Sequence, residues 1–151
     1  MKVWRWNDTS FIVPRGAFFE GNVRIDGDLL VPRDTHFWGR LVVEGDLTLG
    51  PWSTVGAGVW CANATIGDHV RIRGPLVAVG DVMVCDGAAL GMIRAARDVT
   101  LRPGVRVGDV VSGRSILVQG KVESGRLLGR LVKVVGATLP QEGELEHRGA
   151  V

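Results

Sequence analysis

The sequence predicts an all-β, single-domain, three-sided parallel β-helix, a solenoid of about seven coils with 17–18 residues per coil. Three observations predict it. Strand-like segments start at Ser10, Asp28, Asp46, Asp81, Asp98 and Ser115, evenly spaced except for one gap of double length between Asp46 and Asp81. That gap hides one further copy, near Ala64-Thr65-Ile66. Inside each unit, apolar pairs at i and i+2 step by six: Val23/Ile25, Leu29/Val31, Thr35/Phe37, Leu41/Val43, Leu47/Leu49, Ser53/Val55 and Val59/Cys61. Glycines fall between the pairs. A fixed short period means units that cannot bury an apolar face alone and must stack.

Each pair has the alternation of a short strand with one buried face. Gly21, Gly27, Gly39, Gly45 and Gly56 lie at or near the corners, where glycine can take φ > 0. Three strands complete a turn, and each pairs with its copy ~4.8 Å above and below. The columns align: Pro14 with Pro32, Arg15 with Arg33, Phe19 with Phe37 and Val55. Asp28, Asp46, Asp81 and Asp98 share one corner. Carboxylates ~5 Å apart repel, so they are expected to face water or accept backbone N–H groups. A ladder of bound cations is the other reading, weakened by interruptions at Ala64 and Ser115. Residues 91–97 could form a helical turn, but their flanks are in register and they read as a strand. Residues 1–9 are an N-terminal segment or cap, 10–139 the β-helix, and 140–151 a polar, aperiodic tail.

Composition narrows the function classes. Eighteen Lys+Arg against 16 Asp+Glu give a net charge of +2, which argues against a nucleic-acid surface. No apolar run approaches the roughly 18 residues of a membrane span, and residues 1–6 lack the apolar centre of a secretion signal. Cys61 and Cys85 have no C-x-x-C spacing and read as reduced, half-buried thiols in a cytoplasmic protein.

Catalytic constellations are sparse. Residues 55–59 and 66–70 look locally like hexapeptide repeats, so a trimeric hexapeptide-repeat acyltransferase stays open as an alternative. Such an enzyme needs a histidine base, and a zinc anhydrase needs three histidines on one metal. The chain has His36, His69 and His147. His36 aligns with Phe18 and Thr54 as an outward strand residue, and His147 lies in the tail, which leaves His69 as the candidate base. Asp26, Glu44 and Asp86 have no assignable partner, and no Ser/His/Asp order or P-loop is present. The expectation is no enzyme activity, no cofactor and no metal.

The run Phe-Glu-Gly-Asn-Val-Arg-Ile-Asp-Gly-Asp-Leu from Phe19 to Leu29, followed by Gly45-Asp46-Leu47 and Gly80-Asp81-Val82, resembles a bactofilin domain over roughly residues 10–139. The resemblance implies a right-handed β-helix. It also implies nucleotide-independent, end-to-end assembly into non-polar filaments that act as a cytoplasmic scaffold, often at the membrane. This chain departs from that pattern in its short flanks, its five tryptophans and the irregular stretch 62–68.

The ends fit assembly on physical grounds. A β-helix leaves unpaired N–H and C=O groups on its first and last coils, which monomeric solenoids hide under polar caps. Here one end carries Trp4, Trp6, Phe11, Phe18 and Phe19, and the other Leu128, Val132, Val134 and Leu139. These residues are the candidate polymerisation interface, with the chain itself as partner. In the competing reading Trp4 and Trp6 close over the first coil as a private lid. Residues 1–6 combine Trp with Lys and Arg, which also suits a membrane surface. A third reading is a non-polymerising adaptor that binds a partner through a patch of Trp38, Trp52 and Trp60; alternation places Trp38 and Trp60 outside.

Overall fold

Most strands are only two to five residues long, because each coil must turn three times within one short repeat. The computed structural model describes residues 4, 5 and 9–136. Its first wall stacks β2 (Ser10–Ile12), β5 (Asp28–Val31), β8 (Asp46–Leu49), β11 (Asn63–Ile66), β13 (Val82–Val84), β15 (Val99–Leu101), β18 (Ser115–Gln119) and β20 (Leu131–Val135). All these pairings are parallel, and β1 (Trp4–Arg5) adds antiparallel to the free side of β2.

The second wall holds β3 (Phe18–Phe19), β6 (His36–Phe37), β9 (Thr54–Val55), the first halves of β12 (Arg71–Ala78) and β14 (Ala89–Ala95), and β16 (Arg106–Val107). The third holds β4 (Val23–Ile25), β7 (Leu41–Val43), β10 (Val59–Cys61), the second halves of β12 and β14, β17 (Val110–Ser112) and β19 (Leu127–Leu128). β12 and β14 run through the corner, and their mutual register slips between Ile72 and Pro75. The stretch 91–97 is thus strand through Ala95, as the pattern predicts. The result is an all-β solenoid of about seven turns.

Register confirms the repeat and corrects one column. Along the first wall the inward column steps through Phe11, Leu29, Leu47, Ala64, Val82, Val99, Ile116 and Val132, each paired with the next. The hidden copy is β11, and Asn63, not Ala64, occupies the acidic corner position opposite Asp46. The column therefore reads Asp28, Asp46, Asn63, Asp81, Asp98, Ser115, with polar side chains throughout.

These side chains tie one coil to the next. Asp28 Oδ1 accepts the Asp46 N–H at 2.7 Å, Asn63 Oδ1 the Asp81 N–H at 2.7 Å, and Asp81 Oδ1 the Asp98 N–H at 3.0 Å. Asn63 Nδ2 donates to Asp46 Oδ1 at 2.8 Å. Asp98 Oδ1 accepts from both the Ser115 hydroxyl (2.8 Å) and its N–H (3.2 Å). The carboxylates thus act as turn acceptors, which offsets the repulsion expected of bare neighbours. Among the described residues no group of three or more His, Cys, Asp or Glu is placed to hold a metal ion.

The corner glycines work differently from the expectation. Gly21, Gly27, Gly39, Gly45 and Gly56 do not take positive φ. At Gly56 the constraint is close approach: a Cβ would lie 2.6 Å from the Trp38 carbonyl oxygen of the coil before it. Left-handed backbone occurs instead at the corner before the second wall, at Gly16, Asp34, Trp52, His69, Gly87 and Gly104.

The interior is filled by one inward column per strand position. Phe37, Leu41, Val43, Leu47, Leu49, Ile66, Leu76, Ile93 and Ile116 are all but inaccessible. Thr35, Ser53 and Ser112 are buried and polar, and all three hydroxyls are satisfied. Thr35 and Ser53 each donate to the Pro32 carbonyl, at 3.0 and 3.1 Å, and Ser53 Oγ accepts the Thr35 N–H at 3.2 Å. Ser112 Oγ accepts the Arg114 N–H at 3.0 Å and lies 3.1 Å from the Ser115 carbonyl. Buried hydroxyls without such partners would be destabilising. The unassigned acids also find partners: Glu44 binds Arg24 at 2.6 Å, Asp26 faces Arg24 at 3.6 Å, and Asp86 pairs with Arg102 at 3.0 Å. These pairs are solvent-exposed and contribute little each.

Two outcomes test this packing. Phe37 is fully buried and stacks on Phe19 at 4.9 Å, so Phe37→Ala is expected to lose about 3–5 kcal/mol in urea denaturation. The hydrogen bond from the Ser115 hydroxyl, with that from its N–H, holds the Asp98 carboxyl below its ordinary value. Its contribution to stability is complete above the unfolded value of about 3.9 and is lost as pH falls from there through the lower folded value. Asp98→Asn should therefore show a shallower acid-side loss of stability than the parent; an identical slope removes Asp98 from the acid response.

Candidate functional site: the open ends and the aromatic wall

At the N-terminal end, among the described residues, β1 pairs with the first wall. Trp4 pairs opposite Ile12 and Arg5 opposite Phe11, with the guanidinium 5.7 Å above the Phe11 ring. Trp4 stays 55% exposed. Among the described residues β1 thus pairs with the edge of the first wall, while the Trp4 ring remains exposed. Phe11 and Phe19 point inward, as the columns predict, and both pack on the core. Phe18 points outward and meets the Trp38 ring edge-on at 5.1 Å. The outer sides of β3 and β4 have no partner strand among the described residues. Trp6 lies outside the described residues.

At the opposite end β20 is the last strand of the first wall. Val132 and Val134 face inward and are only half-buried, because the described chain adds no coil beneath them. Leu131 and Val135 are 60% and 46% exposed. Leu128 ends the third wall, exposed, while Leu127 is buried. Leu139 lies outside the described residues.

Trp38, Trp52 and Trp60 are all exposed, Trp38 and Trp60 on the side alternation predicts and Trp52 on a turn, but they do not form one patch. Trp60 lies on the third wall between Val42 and Val77. Trp38 and Trp52 instead line a groove of about 1000 Å³ on the second wall. The outward column of that wall is Phe18, His36, Thr54, Arg71, Ala89, Arg106. His36 is outward as expected, its Nδ1 2.7 Å from Thr54 Oγ1.

Local backbone shapes the groove's rim. Trp52 (φ 65°) and His69 (φ 58°) occupy the left-handed corner on successive coils, a conformation that disfavours bulky residues. Their rings stack at 4.3 Å, 4° from parallel. The next coil has Gly87, with φ 72°, where a Cβ would lie 2.8 Å from His69 Nε2. The glycine therefore serves both the turn and the seating of the imidazole. The His69 imidazole has no hydrogen-bonding partner among the described residues, and His36 and His69 belong to separate positions of the wall. His147 lies outside the described residues.

Arg71, Arg73 and Arg106 also line the groove, and no carboxylate does. Arg106 Nε binds Glu123 at 3.0 Å; Arg71 and Arg73 have no ion-pair partner among the described residues. These arginines do not stand out in a reading of motifs. Their signal is the triplet Arg71-Ile72-Arg73, where two cations flank one inward residue, and Arg106 two coils further along the same column.

The thiols differ from each other. Cys61 is fully buried rather than half-buried, and burial, with Asp46 nearby, raises its pKa to about 12. Cys85 is half-buried and its pKa is raised too, first by burial and then by Asp68 and Asp86, against a lowering by Arg102. Neither is poised as a nucleophile. No family model matches this chain, and neither a curated protein nor a solved structure matches it.

In native protein at pH 8, a thiol reagent is expected to leave Cys61 unlabelled and to modify Cys85 slowly, with both reacting at once in denaturant. Trp52→Gly exchanges about 1–3 kcal/mol of backbone strain for a ring pair worth about 0.5–1.5 kcal/mol. Its thermal midpoint should therefore match or exceed the parent's; a large drop would make the ring structural.

Proposed function

We propose that this chain is a non-enzymatic structural scaffold that associates with copies of itself through its terminal coils, the role the bactofilin resemblance implies. The observation that carries the reading is β20. It is a five-residue edge strand with exposed Leu131 and Val135 and half-buried Val132 and Val134. An uncovered edge with apolar inward residues is a template for another strand, and stacking a further coil would bury Val132 and Val134 as Ile116 and Val118 are buried.

Like ends pair about a two-fold axis, which sets two β20 edges antiparallel. At the other end β1 occupies the first wall, so the like-to-like contact there falls on β3 and β4. A notch of about 410 Å³ lined by Phe18, Phe19, Glu20, Gly21, Asn22 and Val23 opens at that place. Two like-to-like contacts on one molecule generate a non-polar filament without nucleotide. In this reading the protein works in the cytoplasm, and the exposed Trp4 and Arg5 favour a membrane surface once a polymer multiplies their weak individual affinity. No helix among the described residues is long and apolar enough to cross a membrane.

Negative-stain microscopy and light scattering of the purified chain test the scaffold, with no nucleotide added. Filaments are expected from the parent, and small uniform particles from Val134→Arg. Leu131→Arg alters only an exposed edge position and, with an unchanged far-ultraviolet spectrum, should shorten the filaments as well. Uniform particles from the parent, or filaments indifferent to both substitutions, would overturn the assembly reading.

A further inference from the structure

We propose that the groove on the second wall binds a small ligand that joins an anionic group to a planar ring through a short linker, in class a nucleoside monophosphate. The inference stands apart from assembly, because the groove lies on a lateral wall and neither terminal coil lines it.

The anion position follows from the column. Ala89 sits directly between Arg71 on the coil before and Arg106 on the coil after. Each is one strand spacing away, about 4.8 Å, so both guanidiniums can close over the small alanine side chain. Arg73 lies two residues along the strand from Arg71 and points the same way, with buried Ile72 between them. The three cations thus ring one shallow floor of Ala89 and Gly91. Arg71 and Arg73 are without ion-pair partners among the described residues, and the exposed Arg106–Glu123 pair engages only Nε at 3.0 Å. Terminal guanidinium nitrogens stay free, and their planar fork can donate paired hydrogen bonds to two oxygens of an oxyanion.

The ring position follows from the rim. Trp38 and Trp52 are 66% and 52% exposed on the same groove. Trp52 and His69 hold a left-handed conformation that the neighbouring coils give to Asp34 or glycine. Strain kept at two successive bulky residues points to a function for their rings. The faces between the two rings are taken by their own stack, and Trp52, still half-exposed, offers its remaining face and edge beside the arginines. Aromatic platforms next to guanidiniums hold bases by stacking and phosphates by charge. The groove volume, about 1000 Å³, is at the upper end of the range for small-ligand sites.

The test is titration calorimetry of the full chain with AMP, beside adenosine and inorganic phosphate as separate halves. Saturable AMP binding is expected, with each half at least about tenfold weaker. Arg71→Gln should weaken AMP about tenfold and leave adenosine unchanged, whereas Trp52→Gly should weaken both AMP and adenosine. Arg71 is exposed and Trp52→Gly restores the residue found at this corner in other coils, so both variants are expected to fold. Absence of saturable AMP binding overturns the proposal. So does phosphate binding as tightly as AMP, which would leave an anion site without a ring platform. AMP affinity unchanged in both variants would place any binding elsewhere and overturn it as well.

Discussion

Every other feature depends on main-chain hydrogen bonding between one coil and the next. Bonds such as Trp38 N–H to the Phe19 carbonyl (2.8 Å) and Gly56 N–H to the Phe37 carbonyl (2.6 Å) recur at each step along the axis. They fix which residue stands above which, and the side-chain columns follow from that. A residue in such a stack touches the same position on two neighbouring coils. The inward columns therefore act as continuous rods of Leu, Val, Ile and Phe rather than as a collapsed cluster.

The same locking explains where the coils tolerate irregularity. The coils shorten slightly along the axis, from the step that pairs Phe11 with Leu29 to the step that pairs Ile116 with Val132. Strands stay in register because the differences are absorbed at corners. Polar side chains do much of this work. Asn22 accepts the Arg40 N–H at 2.8 Å and Asp109 the Arg126 N–H at 2.9 Å, as the acidic column does at its own corner. Each is a side-chain oxygen replacing an acceptor that the turned backbone cannot supply.

The roles proposed above fall on positions that stacking does not use. The terminal strands are where the ladder must stop, and β20 stops with half-buried valines. The outward columns are free of packing constraint, so their composition is open to selection for binding. On the second wall that freedom holds Arg71 and Arg73, without ion-pair partners among the described residues, and two aromatic residues on left-handed backbone whose rings stack from one coil to the next.

The sequence by itself determined the solenoid. The period, the i and i+2 apolar pairs and the inward or outward side of Phe19, Phe37, His36, Trp38 and Trp60 can be read from it, because a strand's alternation is strictly local. Even β11, whose composition departs most, could be placed by counting. The tertiary structure alone decided what depends on contacts between residues a full coil apart, made in several coils at once. It put Asn63 in the acidic column, gave positive φ to Trp52 and His69 rather than to the expected glycines, and set β1 against the first wall. It also separated Trp60 from Trp38 and Trp52, and it brought Arg71 and Arg106 together around Ala89. Periodicity tells which side of a wall a residue takes; only the stacked coils fix how far its corner turns and which side chains share a groove.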